Sequence, residues 1–425
     1  MDAQHIAIIG YGTAGQAAAL LLARDGHRVE VFERAAELGP VGAGFLLQPT
    51  GLQVLWELGL LPDVMAHGRR VNRLYGETPC GRAVMDMRYA GLDARLFGLG
   101  MQRGALFSLL SEAWAEHGEV HRGHAIEDVS DDTRRIRDQH GRWHGLFDLV
   151  IAADGSASKL RGATGAVKRE AVYPWGALWR LVPQGDWPWG DELRQRYVAA
   201  RKMIGLLPVG TRPGDDTPRL SFFWSLPIAD FDAWRARGLP AWRDEIAQLW
   251  PEVDACLADT VDPDQLARAS YRDVTLRHWH RDRLVVLGDA AHGMSPQLGQ
   301  GVNMALMDAL ALRDALRGQD GVPAALGAYQ RERQAHVGVY QFWSRWLTPI
   351  FQSDLDWVAR ARDIGFLPAG RLPGGRGHML RVLSGTQHGF FGTLKLKPDF
   401  LAALQNDLIN GRHPREGGDP ATSRR

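Results

Sequence analysis

Residues 5–34 read HIAIIGYGTAGQAAALLLARDGHRVEVFER. A short apolar run ends on glycines, a helical run rich in Ala and Leu follows, and VEVFER resumes a strand. The pattern predicts a βαβ unit of about thirty residues, the usual length of that motif. Within it Gly10, Gly12 and Gly15 form a G-x-G-x-x-G that follows a strand and opens a helix, with Glu33 ending the second strand. Gly10 permits the tight turn, Gly12 lets backbone approach a pyrophosphate, and Gly15 lets helix and strand pack closely. Thr13 and Ala14 lie in the first turn of the helix, whose N-terminus offers unpaired N–H groups and a positive dipole end to phosphate. Glu33, followed by Arg34, is expected to accept hydrogen bonds from adenosine ribose hydroxyls, and its charge argues against a 2′-phosphate there. The competing reading, a Gly-rich turn in an unrelated α/β protein, leaves the strand, helix and acidic residue as coincidences.

Outward from that stretch, the 425 residues exceed what one hydrophobic core usually spans, so two packed domains are expected. A hydrophobic fraction of 45%, a charged fraction of 23% and a net charge of +1 give no electrostatic case for nucleic acid or an anionic membrane. The two cysteines, Cys80 and Cys256, form no CxxC pair, so neither a disulfide framework nor a metal site is expected. MDAQHIAIIGYG does not read as a signal peptide, and no uncharged apolar run approaches the ~18 residues of a membrane span. A cytoplasmic location, as a monomer or homodimer without nucleic-acid partners, is the expectation.

The organisation predicted is a first segment over 1–170, carrying a small antiparallel meander at about 119–150, then a β-rich insert over 171–275. DFDAWRARGLPAWRDEIAQLWPEV, residues 230–253, reads as a continuous helix, and RDRLVVLGD at 281–289 as a buried strand returning the chain to the first domain over 276–348. A helical C-terminal segment over 349–410 and a disordered tail over 411–425, rich in Gly, Pro and charge, complete the chain.

Three later motifs extend the fingerprint. Met101-Gln102-Arg103-Gly104-Ala105-Leu106 places an arginine where a helix begins; AADGSASKLR at 152–161 follows a strand with Asp154 and Gly155; and GDAAHGMSPQLGQGVNMALMDAL at 288–310 follows another with Asp289. Read alone, Arg103 suits a surface salt bridge and Asp154 a helix N-cap. Together, over roughly residues 5–345, the four motifs resemble the single-component FAD-dependent aromatic monooxygenases typified by para-hydroxybenzoate, salicylate and phenazine hydroxylases. The resemblance implies an α/β Rossmann-like FAD-binding domain with an inserted β-rich substrate domain and C-terminal helices. It further implies FAD as cofactor, NADH or NADPH as a transient co-substrate, O2, and oxygen transfer to an aromatic phenol or acid through a C4a-hydroperoxyflavin. Carried to this sequence, it assigns Arg103 to the ribityl or pyrophosphate region, Asp289 to the ribityl hydroxyls, and Asp154 and Arg161 to organising the site. Gly299, Gly301, Val302 and Asn303 would aim backbone N–H groups at the flavin pyrimidine, with Pro296 against the ring face where oxygen reacts. His292 reads as a proton shuttle or as a packed imidazole bonded to nearby backbone; with no visible carboxylate partner, the packed role is favoured.

Twelve of the fifteen tryptophans follow residue 170, and Trp175, Trp179, Phe222, Phe223 and Trp224 lie in or beside the β-rich segments. Such side chains can wall a flat ring, though large aromatics favour strands in any case. Gln48, Trp179, Arg180, Phe223 and Pro296 are the substrate-side candidates, with Arg201 a second carboxylate anchor beside Arg180; no residue is assigned as the base that ionises a phenol. The aromatic run Phe342–Leu347 reads as core packing by default, with an active-site cap, a dimer contact and a membrane contact as alternatives. A flavin-dependent halogenase is the nearest rival, but its Trp-x-Trp-x-Ile-Pro signature is absent; an epoxidase, a related reductase and a flavin-binding sensor or scaffold without turnover are the others.

Overall fold

The computed structural model describes residues 2–39, 42–165, 167–370 and 374–410, so the tail expected to be disordered, 411–425, lies outside the described residues. The strand His5–Ile9 lies near the middle of a six-stranded sheet. Ile6, Ala7, Ile8 and Ile9 are buried, as a strand covered on both faces requires. It pairs in parallel with Arg28–Glu33 on one side and Leu149–Ala152 on the other; Val120–Arg122 and Leu284–Val286 extend the parallel pairing outward. Numbering these five parallel strands along the chain, their spatial order is 5-4-1-2-3, that of a Rossmann half. Chain direction reverses its spatial progress beside His5–Ile9, so the crevice for a nucleotide opens beyond the C-terminal ends of these strands.

Helix Thr13–Arg24 buries an Ala- and Leu-rich face between this sheet and the helix Gly301–Gly318. The Ala-rich composition permits close approach: Gly288 adopts φ +60, and a Cβ there would come within 3.1 Å of the Ala14 Cβ. The two glycine-rich motifs, distant in sequence, thereby share one packed junction.

A second sheet has seven strands in the order Ala267–Ala269, Trp175–Pro183, Asp215–Pro227, Lys202–Arg212, Glu192–Val198, Arg73–Glu77 and Ala83–Arg88. Its pairings are antiparallel except where Glu192–Val198 meets Arg73–Glu77. The β-rich layer therefore draws two strands from residues 73–88 in addition to the expected 171–275. One face, carrying Leu178, Phe222 and Trp224, packs on Trp234, Trp242 and Trp250. The indole of Trp242 meets the rings of Phe222, Trp224 and Trp234 edge-on at 5.8–5.9 Å.

The helix expected over 230–253 is three helices, Phe231–Arg237, Leu239–Leu249 and Pro251–Cys256. Gly238 at φ +83 ends the first, and the extended Trp250 ahead of Pro251 ends the second. The bends let three indoles converge on one sheet face. The meander is a three-stranded sheet of Ile126–Val129, Arg135–Asp138 and Trp143–Gly145. A further three-stranded sheet, Gly44–Leu47, Gly98–Gln102 and Arg69–Val71, lies between the two large ones. The helix Val322–Phe351 and the shorter helices Asp356–Ala369, Gly375–Ser384 and Pro398–Asn410 close the back of the molecule. Among the described residues no helix is long and apolar enough to cross a membrane.

Candidate active site

Four strand ends bring the sequence motifs to the rim of one crevice. Gly10 leaves its strand at φ +100, and a Cβ there would fall 2.4 Å from the Ala153 carbonyl oxygen; at Gly15 it would fall 1.9 Å from the Gly10 carbonyl oxygen. No other residue fits either position. Gly12 differs: nothing lies within 4 Å of where its Cβ would be, and no side chain caps the helix it begins. The fingerprint is thus rigid where it meets the protein and open where a diphosphate would approach. Glu33 braces the same turn, its Oε2 accepting from Tyr11 N at 2.8 Å and its Oε1 from Ala35 N at 2.9 Å. Each oxygen retains a lone pair for a ribose hydroxyl. Arg34 is exposed beside it.

Asp154 ends the neighbouring strand. Its Oδ2 accepts from Lys159 N at 3.1 Å, whereas its buried Oδ1 has no partner, and burial raises its carboxyl above the ordinary range. Arg161, 2% exposed, donates to the carbonyls of Gly155 and Ser156 and holds this loop closed. Asp289 is exposed between buried neighbours, its Oδ1 3.8 Å from the Cβ position of Gly301 at the start of the long helix. That helix also begins without a side-chain cap. Gly299 ahead of it is left-handed at φ +60, and Val302 is half-buried. Arg103 begins the helix Arg103–Ala115 with its guanidinium exposed, 5.7 Å from the Phe45 ring centroid. An open helix start, an acidic brace, a second acidic strand end and an exposed arginine together match the diphosphate, ribose and ribityl parts of FAD in chemistry and order.

Several predicted residues are committed within the protein. Asn303 is fully buried; its Oδ1 accepts from Gln48 N at 2.8 Å, and its Nδ2 donates to the carbonyls of Leu46 and Gly299. Its side chain therefore holds the strap at 46–48 against the helix start and has no donor left for a cofactor. Gln48 is also buried, accepting from the Tyr89 hydroxyl at 2.7 Å while its Nε2 lacks a protein partner. Pro296 begins a single 3-10 turn, anchored by the Ser295 hydroxyl against those of Ser344 at 2.8 Å and Thr348 at 2.7 Å.

His292 has the carboxylate partner that the sequence reading did not find. Its Nε2 lies 2.6 Å from Asp308 Oδ2, which also accepts from Gly288 N at 2.8 Å; Asp308 Oδ1 accepts from Arg333 Nε at 2.7 Å. Burial alone would raise the Asp308 carboxyl, but the charges of His292 and Arg333 and their hydrogen bonds bring it down to about 2. All three side chains are buried, so the imidazole is packed as expected, but on a carboxylate in place of backbone. Both residues are visible in the 288–310 motif; the signal was an Asp one loop and two helical turns beyond the His.

The far wall is the seven-stranded sheet. Ser221 accepts from Gly44 N at 3.2 Å, so the face bearing Ser221 and Phe223 looks toward the central strap. Trp179 pairs with Phe223 in register, their ring centroids 5.1 Å apart. Arg180 is the next residue along the strand and lies on the opposite face, where Gln265 and Asp259 occupy its guanidinium; it is no substrate-side anchor. Arg201 is likewise excluded, paired with Asp356 at the exposed edge. Tyr271 was not anticipated: its hydroxyl accepts from Trp179 Nε1 at 2.8 Å and has no acceptor for its own proton among the described residues. Burial raises this phenol to about 12 against the opposing effects of Trp179 and Arg103, so it remains a donor at neutral pH. The aromatic run is not all core as expected: Trp346 is exposed, and Phe342 meets the Phe390 ring edge-on at 5.4 Å.

The pattern of the FAD binding domain family matches residues 3–340. Kynurenine 3-monooxygenase of Salinispora arenicola is 28% identical over 360 residues, covering 79% of this chain and 77% of the relative. FAD-dependent urate hydroxylase of Mycolicibacterium vanbaalenii is 29% identical, covering 77% and 84%. Among solved structures, PqsL, a probable FAD-dependent monooxygenase from Pseudomonas aeruginosa, superposes with a TM-score of 0.71 at 26% identity, covering 86% of this chain and all of that one.

Proposed function

The chain belongs to the FAD-binding-domain family of flavoprotein monooxygenases, and from that premise we propose that it hydroxylates a planar aromatic substrate lying between the Pro296 turn and the Trp179–Phe223 face. The observation that carries this reading is the Trp179–Phe223 pair on the sheet face that turns toward the strap, which Asn303 in turn ties to the glycine-rich helix start. Two of its relatives are named for kynurenine and urate, both of which contain a flat conjugated ring. Bound FAD supplies hydride acceptance from NADH or NADPH and activation of O2.

The chain's own residues hold, orient and shield. Glu33 accepts the ribose hydroxyls, and the N–H groups opening helix Thr13–Arg24 hold the diphosphate with Arg103. Asp289 would accept from the ribityl hydroxyls, and the uncapped start of helix Gly301–Gly318 would offer its N–H groups and positive dipole end to negative charge on the flavin. Half-buried Trp179 stacks on the substrate, Phe223 packs behind it against Tyr197, Met203 and Phe351 to exclude water, and Tyr271 is left to donate a hydrogen bond to a ring substituent. The cytoplasm suits the reaction, since nicotinamide cofactors are available there and Cys80 and Cys256 are unpaired.

The test is a screen of the FAD-loaded protein with phenols, aromatic acids, aminobenzoyl compounds and oxidised purines. One class should accelerate NADH or NADPH oxidation and yield a product gaining a single oxygen atom. Reduction of bound flavin with no compound gaining oxygen would overturn the reading.

A further inference from the structure

The sequence offers no Cys-based metal motif, yet the fold assembles another kind of ligand set. His124 follows the edge strand Val120–Arg122; Asp138 ends one strand of the small meander and His144 lies in the next. One nitrogen of each histidine and one oxygen of Asp138 lie within 4.8 Å of one another, the one such group among the described residues. Asp138 Oδ2 is 2.9 Å from His144 Nε2 and 3.5 Å from His124 Nδ1. Ligand atoms around a tetrahedral zinc ion, bonded at about 2.0–2.2 Å, are separated by about 3.3 Å. The two edges that meet at Asp138 Oδ2 bracket that separation, and the edge between the imidazoles is within 4.8 Å.

Two further features argue against an ordinary ion pair. Asp138 is 3% exposed, and its Oδ1 is already filled by the N–H groups of His140 and Arg142, leaving Oδ2 alone to face both imidazoles. His144 satisfies that oxygen, whereas His124 Nδ1 is buried with no hydrogen-bond partner. An orphaned imidazole nitrogen aimed at a buried carboxylate is what a bound cation would satisfy.

The ligands are also held in place. The Gln139 side chain accepts from Ala125 N at 2.8 Å and donates to the Gly123 carbonyl at 2.6 Å, clamping the backbone on both sides of His124. His124 N donates to the Glu33 carbonyl at 2.9 Å. Phe32 packs against the His124 and His144 rings with centroids at 6.2 and 5.3 Å, a partly apolar shell around the polar set. Side-chain exposures of 31% for His124 and 15% for His144 leave a path from solvent.

We propose that His124, Asp138 and His144 bind a divalent late transition cation, with zinc as the best match. Two imidazoles and one carboxylate suit zinc, and water completes the fourth position. The site lies behind the adenosine-facing strand end and takes no part in oxygen transfer, so its role is structural.

The FAD-loaded, untagged protein, stripped with chelator, is titrated with zinc chloride against a chromophoric competitor. One tight equivalent is expected, with a higher unfolding temperature when it is bound. Loss of an outer-shell partner alone typically weakens metal sites by about 10–100-fold. H124Q and H144Q should therefore each weaken binding by at least about tenfold, while H121Q, altering a neighbour outside the set, should leave it unchanged. Both substitutions keep a polar amide in place of the imidazole and spare the buried Asp138, so the fold should be retained. Absence of a tight equivalent would overturn the proposal, as would equal affinity in wild type, H124Q and H144Q.

Discussion

At the scale of single residues, the interior behind the glycine-rich turn is a chain of buried polar groups in which each member fixes the next. Asp308 binds Gly288 N, His292 and Arg333; Arg333 Nη1 meets His336 Nδ1 at 2.5 Å; and His336 Nε2 donates to the Gly385 carbonyl at 2.9 Å. Burial and the Arg333 charge lower the His336 imidazole to about 3, so it is neutral and accepts from Arg333. An unfolded histidine titrates near ~6.5, so below that pH the unfolded chain takes up a proton that the folded chain refuses. The stability from neutral His336 is complete above about pH 6.5 and is lost progressively as pH falls toward 3. H336Q keeps one donor and one acceptor but does not titrate. Urea unfolding at pH 7 and pH 5 should show wild type losing about 2 kcal/mol more than the variant over that interval. Equal losses would mean that His336 charges in the fold without cost.

At the scale of elements, the start of helix Gly301–Gly318 is positioned by what touches it from outside. Asn303 ties the helix to the strap at Leu46 and Gln48, and Gln300 Nε2 ties it to the carbonyls of Val382 and Leu383. Room is scarce, since a Cβ on Gly51 would fall 2.2 Å from Asn303 Oδ1. N303A leaves the buried Gln48 N–H and Leu46 carbonyl without this partner, a loss of about 1–3 kcal/mol. The variant should unfold at lower temperature and release FAD faster, although the Asn303 side chain itself has no group to offer the cofactor. Flavin fluorescence after dilution measures the release. A destabilised N303A with unchanged FAD retention would show that strap and helix start are not coupled. The elements carrying this machinery were legible where chemistry is local: the Gly10–Gly15 turn with Glu33 follows from spacing, whereas Asp154 and Asp289 read only as strand ends until the family resemblance gave them a cofactor. Trp179 and Arg180 show where legibility stops. Adjacent strand residues face opposite ways, and which one faces the site depends on the register with Phe222 and Phe223, set by a strand some forty residues on. The His124–Asp138–His144 group was hidden for the same reason, its members meeting only through a turn and a hairpin.

At the scale of the whole molecule, the seven-stranded sheet and the small three-stranded sheet beside it meet backbone to backbone. A Cβ at Gly100 would fall 1.9 Å from the Pro208 carbonyl oxygen, and one at Gly210 would fall 2.1 Å from that of His67. At Gly44 it would meet the Val209 side chain at 2.6 Å and Ser221 at 2.9 Å. Glycine at these contacts removes the clearance that would let one layer slide on the other, so the Trp179–Phe223 face keeps its distance from the Pro296 turn. The parallel pairing of Glu192–Val198 with Arg73–Glu77 reinforces the junction, and no sequence periodicity announces it, because its partners come from distant stretches. Small shifts here reach the face bearing Ser221 and Phe223 directly, and reach the cofactor side through Arg103, which follows the strand paired with Gly44–Leu47. G44A is the milder perturbation: its Cβ would meet Val209 and Ser221 at 2.6 and 2.9 Å and the Met101 carbonyl oxygen at 3.2 Å, where that of G100A would fall 1.9 Å from a carbonyl oxygen. The FAD-loaded variant should admit water to the reacting face, so that less product forms per NADH or NADPH consumed and hydrogen peroxide takes up the difference. The ratio of product to nicotinamide oxidised reads this directly. An unchanged ratio in a folded, FAD-replete G44A would mean that the layers tolerate the displacement and that the glycine junction serves stability alone.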